Sequence, residues 1–317
     1  MIFHPTEQQL VALLKAHFTG QPPEESLFCE TDWTALLRES YMQTVLGPAL
    51  SGALLLPEAV QMPPELKASW QKRVTADTLA YSYHFEMQQR LCGLLEEHGI
   101  PAALFKGMAV ARWYPEPELR AMGDLDVLIP EADTAAAIAL LEANGYEVGD
   151  GRDNPLGKHI AVHMGNAEIE LHRRVDALVT PLSDYAEACF AHRQQIDTPY
   201  GTLYTLGDTE HGLALVVHLL GHFIKSGFGM RHLYDWVFFM HQAKPDWDKL
   251  HDWCRQLSAD DFMDALTACS VRHFGLSAAE VPWTLKTSDD VADMLLLDVL
   301  SGGNWGRKVD ARYYSKF

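Results

Sequence analysis

The spacing of apolar positions changes twice along the chain, and each change marks a change of element. Over residues 3–97 apolar side chains recur at intervals of three and four, as at Leu10, Leu13 and Leu14 and at Trp33, Leu36 and Leu37. A third set is Leu79, Tyr83, Met87, Leu91 and Leu94. Such intervals line one stripe of an α-helix. Gln21-Pro22-Pro23 and Met62-Pro63-Pro64 punctuate these helices, since proline cannot extend the preceding turn.

A different texture begins at Gly99. Residues 100–105 predict a short buried strand ended by Lys106-Gly107, and 108–114 a short helix stopped by Pro115 and Pro117. Residues 124–129 predict a second strand, and 134–144 an amphipathic helix closed by Gly145, which suits the left-handed position after a helix. Residues 158–164 and 167–172 predict paired strands around a Gly165-Asn166 turn, and a further hairpin centres on Tyr200-Gly201. From Asp208 the helical interval returns over 211–225, 233–241 and 247–257, with Asp208-Thr209-Glu210 offering a cap and an acidic first turn. The expected fold class is α+β: an N-terminal helical region over 1–97, a small α/β domain over 98–207 and a C-terminal helical domain over 208–317.

Composition narrows the setting. With 317 residues, 48% hydrophobic and 21% charged, the chain can build a sizeable core. No apolar run reaches the roughly eighteen residues of a membrane span, and the first residues lack a secretory pattern; a cytoplasmic location without membrane partners is the expectation. The five cysteines are scattered and odd in number, which favours reduced, mostly buried thiols over disulfides or a zinc site. A formal net charge of -18 repels a polyphosphate backbone, so long nucleic acid is a poor partner, whereas a local basic pocket for one nucleotide is compatible.

The chemistry concentrates in Arg120-Ala121-Met122-Gly123-Asp124-Leu125-Asp126-Val127-Leu128-Ile129. Alternation along a strand projects Asp124 and Asp126 to one side and Leu125, Val127 and Ile129 to the other. Two adjacent carboxylates repel one another, and a divalent cation relieves both; magnesium favours carboxylate and phosphate oxygens. Glu168-Ile169-Glu170-Leu171-His172 repeats the alternation, so Glu170 is the third metal-ligand candidate, as two-metal phosphoryl chemistry requires. Lys106-Gly107 ends a strand where a helix begins, a place where backbone N–H groups can hold phosphate.

Leu104-Phe105-Lys106-Gly107, Tyr114-Pro115, Leu119-Arg120, Gly123-Asp124-Leu125-Asp126-Val127-Leu128 and Ile169-Glu170-Leu171-His172 together resemble the uncharacterised bacterial nucleotidyltransferase family of the DNA polymerase beta-like superfamily. The similarity extends to His218-x-x-x-His222 and Leu233-Tyr234-Asp235-Trp236. The resemblance implies a nucleotidyltransferase-type mixed sheet and transfer of a nucleoside monophosphate from a triphosphate, with ATP expected, to a hydroxyl on a small molecule, a sugar or a protein. It implies that Asp124 and Asp126 hold Mg²⁺, or Mn²⁺, and that Glu170 binds the acceptor-side metal and can assist deprotonation of the acceptor. Where that superfamily usually has Gly-Ser or Gly-Gly, this chain has Gly107-Met108, so the hydroxyl contact to the phosphates is either missing or replaced by Lys106 or Arg120. A nucleotide-binding or scaffold protein of the same fold with little catalysis is the alternative, and a metal-dependent phosphohydrolase a third.

Around this centre, Lys106, Gly107, Arg120, His218, His222 and Lys225 are the nucleotide-binding candidates. His218 and His222 share a helix face, but Leu219 stands where a zinc protease needs glutamate. Arg231 and Asp235, four apart on one helix, predict a helix-stabilising ion pair. His159 and His163 share a strand face, for pocket lining or for exposure. The aromatic run 234–240 predicts helical core rather than a base-stacking surface.

Overall fold

The computed structural model describes residues 3–151, 157, 159–165 and 167–302; the readings at Lys158, Asn166 and 303–317 lie outside these. Four helices open the chain: α1 (Pro5–Thr19), α2 (Trp33–Met42), α3 (Leu46–Ala53) and α4 (Pro64–Glu97). The caps explain the starts. His4 and Glu7 form a reciprocal capping box at α1, and Asp32 accepts from the Thr34 and Ala35 N–H groups at α2. Close packing needs Gly52 of α3, because a Cβ there would meet the Leu13 carbonyl oxygen of α1 at 2.0 Å.

The centre runs β1 (Ala103–Leu104), α5 (Gly107–Ala111), β2 (Leu125–Leu128), α6 (Thr134–Ala143), β3 (Glu147–Val148), β4 (His159–Met164), β5 (Ala167–His172), α7 (Tyr185–Ala191), β6 (Gln194–Thr198) and β7 (Gly201–Thr205). Its strands form one mixed sheet in the order β3-β4-β5-β2-β1-β7-β6. β2–β5 and β1–β7 pair in parallel and the remaining neighbours antiparallel. The strand expected over 100–105 is only two residues long, and Gly107, not Met108, starts the next helix.

After β7 come α8 (Asp208–Lys225), α9 (Met230–Gln242), α10 (Trp247–Gln256), α11 (Asp260–Cys269) and α12 (Asp289–Gly302). Asp208 does not cap α8, whose N-cap is Gly207; its carboxylate instead pairs with Arg112 at 2.7 Å. The aromatic run of α9 is core: Tyr234, Trp236, Phe238 and Phe239 are all buried. All five cysteines are free, and only Cys29 is exposed. No helix among the described residues is long and apolar enough to cross a membrane.

Strand alternation sorts the sheet into two faces. Leu104, Leu125, Val127, Ile169 and Leu171 pack in one apolar cluster with Phe85, Leu91 and Leu95 of α4 and Ile138 and Leu141 of α6. Ala103, Phe105 and Leu128 join a second cluster with the C-terminal helices and α1 to α3. The long helix α4 serves both, with Trp70 and Val74 in the helical cluster and its second half on the sheet. Of the expected stripe, Met87 and Leu91 are buried and Tyr83 and Leu94 pack partly buried against the sheet cluster, but Leu79 is 67% exposed; Tyr81, Phe85, Cys92 and Leu95 widen the covered side.

His211 of α8 lies wholly inside, and its Nε2 accepts the Lys106 backbone N–H at 3.3 Å. Burial, then the positive charges of Arg112 and Arg120, holds its pKa well below 6.5. The folded protein therefore keeps this ring neutral, while the unfolded chain takes a proton near pH 6.5. The contribution is complete above that pH and lost as pH falls. We predict that between pH 7.5 and 5 the unfolding free energy drops, with about 2 kcal/mol of the loss due to this ring. His211→Gln, which can still accept the N–H, should flatten the slope in urea titrations by that amount; unchanged slopes would refute the assignment.

Candidate active site

The parallel register of β2 and β5 sets Asp126 directly beside Glu170. Both side chains point away from the Leu125–Ile169 face, so neither enters the apolar cluster. Asp124 immediately precedes β2 on the same side, and oxygens of Asp124, Asp126 and Glu170 lie within 4.8 Å of one another. Three carboxylates at that separation fit a divalent cation with oxygen ligands.

Charge is balanced locally and unevenly. Asp126 is 4% exposed, with Lys106 Nζ at 2.5 Å and His172 Nε2 at 2.9 Å from its Oδ1. Burial opposes its ionisation, but Lys106 and His172 overcome that and hold its carboxyl well below the usual range. Asp124 is open to solvent at the cleft, yet desolvation by the surrounding site and then the charge of Asp126 push its pKa up. Glu170 is also opposed by burial, yet the hydrogen bond from His172 at 3.1 Å brings it down. Crowding is thus relieved at two of the three acids and not at Asp124, the one a bound cation would benefit most.

Lys106 reaches Asp126 through an unusual backbone. Its φ is +60° with ψ -159°, and the φ of Gly107 is +43°; the Lys106 conformation falls in a region nearly reserved for glycine, costing a side-chain-bearing residue on the order of 1–3 kcal/mol. This turn delivers the lysine amine to Asp126 and sets Gly107 in the cleft lining. Met108 faces away and is buried in the sheet's apolar cluster, so the hydroxyl that serine would bring has no counterpart there.

A cleft of about 490 Å³ opens over the acids. Asp124, Asp126, Glu168 and Glu170 line the sheet side, with Lys106, Gly107 and Met122 beside them. Leu215, His218, Leu219 and His222 of α8 and Arg231, His232 and Asp235 of α9 line the helical side, and Thr44 also contributes to the lining. The rings of His218 and His222 meet at 4.5 Å, and His232 lies within 5.8 Å of both.

Of the nine candidates, the cleft gathers Asp124, Asp126, Glu170, Lys106, Gly107, Arg120, His218 and His222, while Lys225 is exposed in the last turn of α8 and does not line it. Arg120 is committed elsewhere. Its Nε and Nη2 donate to the two carboxylate oxygens of Asp235 at 2.8 and 2.7 Å, and Tyr114 donates to the same Oδ1 at 2.8 Å. This buried pair overturns the expected Arg231–Asp235 bridge within α9. Arg231 instead donates to the Ala121 carbonyl at 3.0 Å. His159 faces Glu170 at 3.3 Å without lining the cleft, and His163 is exposed. Sequence reasoning gave His172 no role of its own and Arg231 only a helix-stabilising one, yet one braces the acids and the other lines the cleft. The strand period offered a signal for the first, since His172 follows Glu170 by two.

The family described as "Uncharacterised nucleotidyltransferase" matches this chain over residues 29–275. No curated protein matches it. Among solved structures, the chain is similar to an antigenic nucleotidyltransferase-like protein from Paracoccidioides brasiliensis, at 14% identity, TM-score 0.36, 60% of this chain and 92% of that one.

The Arg120–Asp235 pair generates its own prediction. Removing one partner strands the other inside the protein, so Asp235→Ala should cost about 3–5 kcal/mol in chemical denaturation. The double variant Arg120→Met with Asp235→Leu should cost far less than the two single changes summed. Strict additivity would show that the charges do not interact.

Proposed function

The chain belongs to the family of uncharacterised nucleotidyltransferases, and from that premise we propose that it is a metal-dependent enzyme of the DNA polymerase beta-like type. It moves a nucleoside monophosphate from a nucleoside triphosphate, ATP by expectation, to a hydroxyl acceptor. The observation that carries the reading is the convergence of Asp124, Asp126 and Glu170 within 4.8 Å at the floor of a cleft large enough for a nucleotide.

In this reading Asp124, Asp126 and Glu170 hold Mg²⁺ or Mn²⁺. The ion, when bound, neutralises the acids and the phosphate oxygens and stabilises the leaving pyrophosphate. Lys106 stands on Asp126 at 2.5 Å and, lining the cleft, would steady the phosphates as a point charge. The Lys106-Gly107 turn brings backbone close to the same phosphates. The acceptor oxygen attacks the α-phosphorus, the bond to the bridging oxygen breaks, and pyrophosphate departs. Glu170, on the strand beside Asp126, takes the acceptor's proton. His172 donates to Asp126 and Glu170 and keeps both carboxylates oriented. His218 and His222 complete the helical wall.

One observation favours a second reading. Because Lys106 and His172 together already neutralise Asp126, the cleft could bind a nucleotide without turning it over. Incubation with α-labelled triphosphates, Mg²⁺ and cell extract separates the two. The enzyme is expected to transfer label and release pyrophosphate, and Asp126→Asn to reduce transfer by on the order of 100-fold or more. Binding with no transfer to any acceptor would favour the non-catalytic reading. Hydrolysis without an acceptor would instead mark a phosphohydrolase.

A further inference from the structure

The cation that the sequence assigns to Asp235 has no carboxylate. Arg120, arriving from the loop before β2, occupies both oxygens of Asp235. No carboxylate among the described residues lies within ion-pair distance of Arg231. One of its terminal nitrogens, Nη1, donates to the Ala121 carbonyl at 3.0 Å, and its enclosed Nε has no partner. The residue lines the cleft.

Three costs coincide at this position. A guanidinium is partly withdrawn from water without a counter-ion. It stands in the first turn of α9, where the helix dipole already presents positive potential. Burial, then the charge of Arg120, pulls the Arg231 pKa down, and the more distant Asp235 and Asp124 offset this only in part. Next to it, His232 also lines the cleft, and its buried Nδ1 has no hydrogen-bond partner. The first backbone N–H groups of α9 are not the vacancy, since Met230 and Arg231 donate to Gln43 and His232 to Gly229. A protein keeps an unmatched cation facing a cleft at such cost when an anion completes it.

We propose that Arg231, with His232 beside it, is a binding site for a phosphate-class oxyanion on the helical wall of the cleft. A planar guanidinium suits two phosphate oxygens at once, and an imidazole N–H adds a single donor. The inference deepens the nucleotidyltransferase reading, yet the site itself does not depend on metal or turnover. Two sources share this chemistry: the triphosphate tail of the nucleotide and a phosphate carried by the acceptor.

Calorimetry on the metal-free protein in EDTA tests it, with pyrophosphate, ATP and adenosine as probes. Pyrophosphate and ATP are expected to bind and adenosine not to bind at the same concentration. Arg231→Met should weaken both anions tenfold or more, with Arg231→Lys between. Because Arg231→Met removes an unmatched charge, its melting temperature without ligand should equal or exceed that of the natural protein, which separates lost binding from misfolding. Asp124→Asn should lose Mn²⁺ binding and keep the anion, so failure of the metal reading is distinguishable from failure of this one. Competition between pyrophosphate and ATP identifies the triphosphate tail as the source; simultaneous binding identifies the acceptor. Undiminished anion binding in Arg231→Met, or none in the natural protein without metal, overturns the proposal.

Discussion

The arrangement of the cleft depends on one buried ion pair. Arg120 precedes the acid-bearing strand, and Asp235 lies mid-way along α9; their two hydrogen bonds tie the sheet to the helices above it. Tyr114 adds a third bond to the same carboxylate, so a charge that would be costly to bury alone is fully engaged. The distance between the acidic floor and the histidine-rich wall follows from this tie. It also decides which arginine is satisfied and which is left facing the cleft.

The acidic floor shows how a sheet tolerates a concentration of like charge. The overall charge of -18 offers no counterweight. Relief comes from two residues at short range, Lys106 and His172, both directed at Asp126. Asp124 receives less, and its raised pKa records the remaining repulsion after desolvation. Backbone strain at Lys106 is part of the same solution, because an ordinary turn would carry its amine elsewhere.

What could be read in the sequence was local. Strand alternation has a period of two, so the common face of Asp124 and Asp126 was visible in a few residues, and so was the α+β class. The pairing of β2 with β5, which sets Glu170 beside Asp126, spans about forty residues and rested on resemblance rather than pattern. Arg120 and Asp235 lie 115 positions apart; the four-residue rule sees only partners on one helix and therefore chose Arg231. Exposure of Leu79 was hidden for a related reason. A helix with apolar residues on several sides does not announce which side the sheet will cover. Lys225 shows the limit of helical phase, since three residues beyond His222 the helix has already run past the cleft.

The 34-residue α4 has a consequence for how the molecule comes apart. One continuous rod of about 50 Å is rooted at one end among the helices and at the other under the strands. Melting either end removes packing from a shaft that the opposite end also needs, so the two halves have no independent route to disorder. Denaturation should then be a single cooperative event, with the cleft lost in the same step as both cores rather than before them.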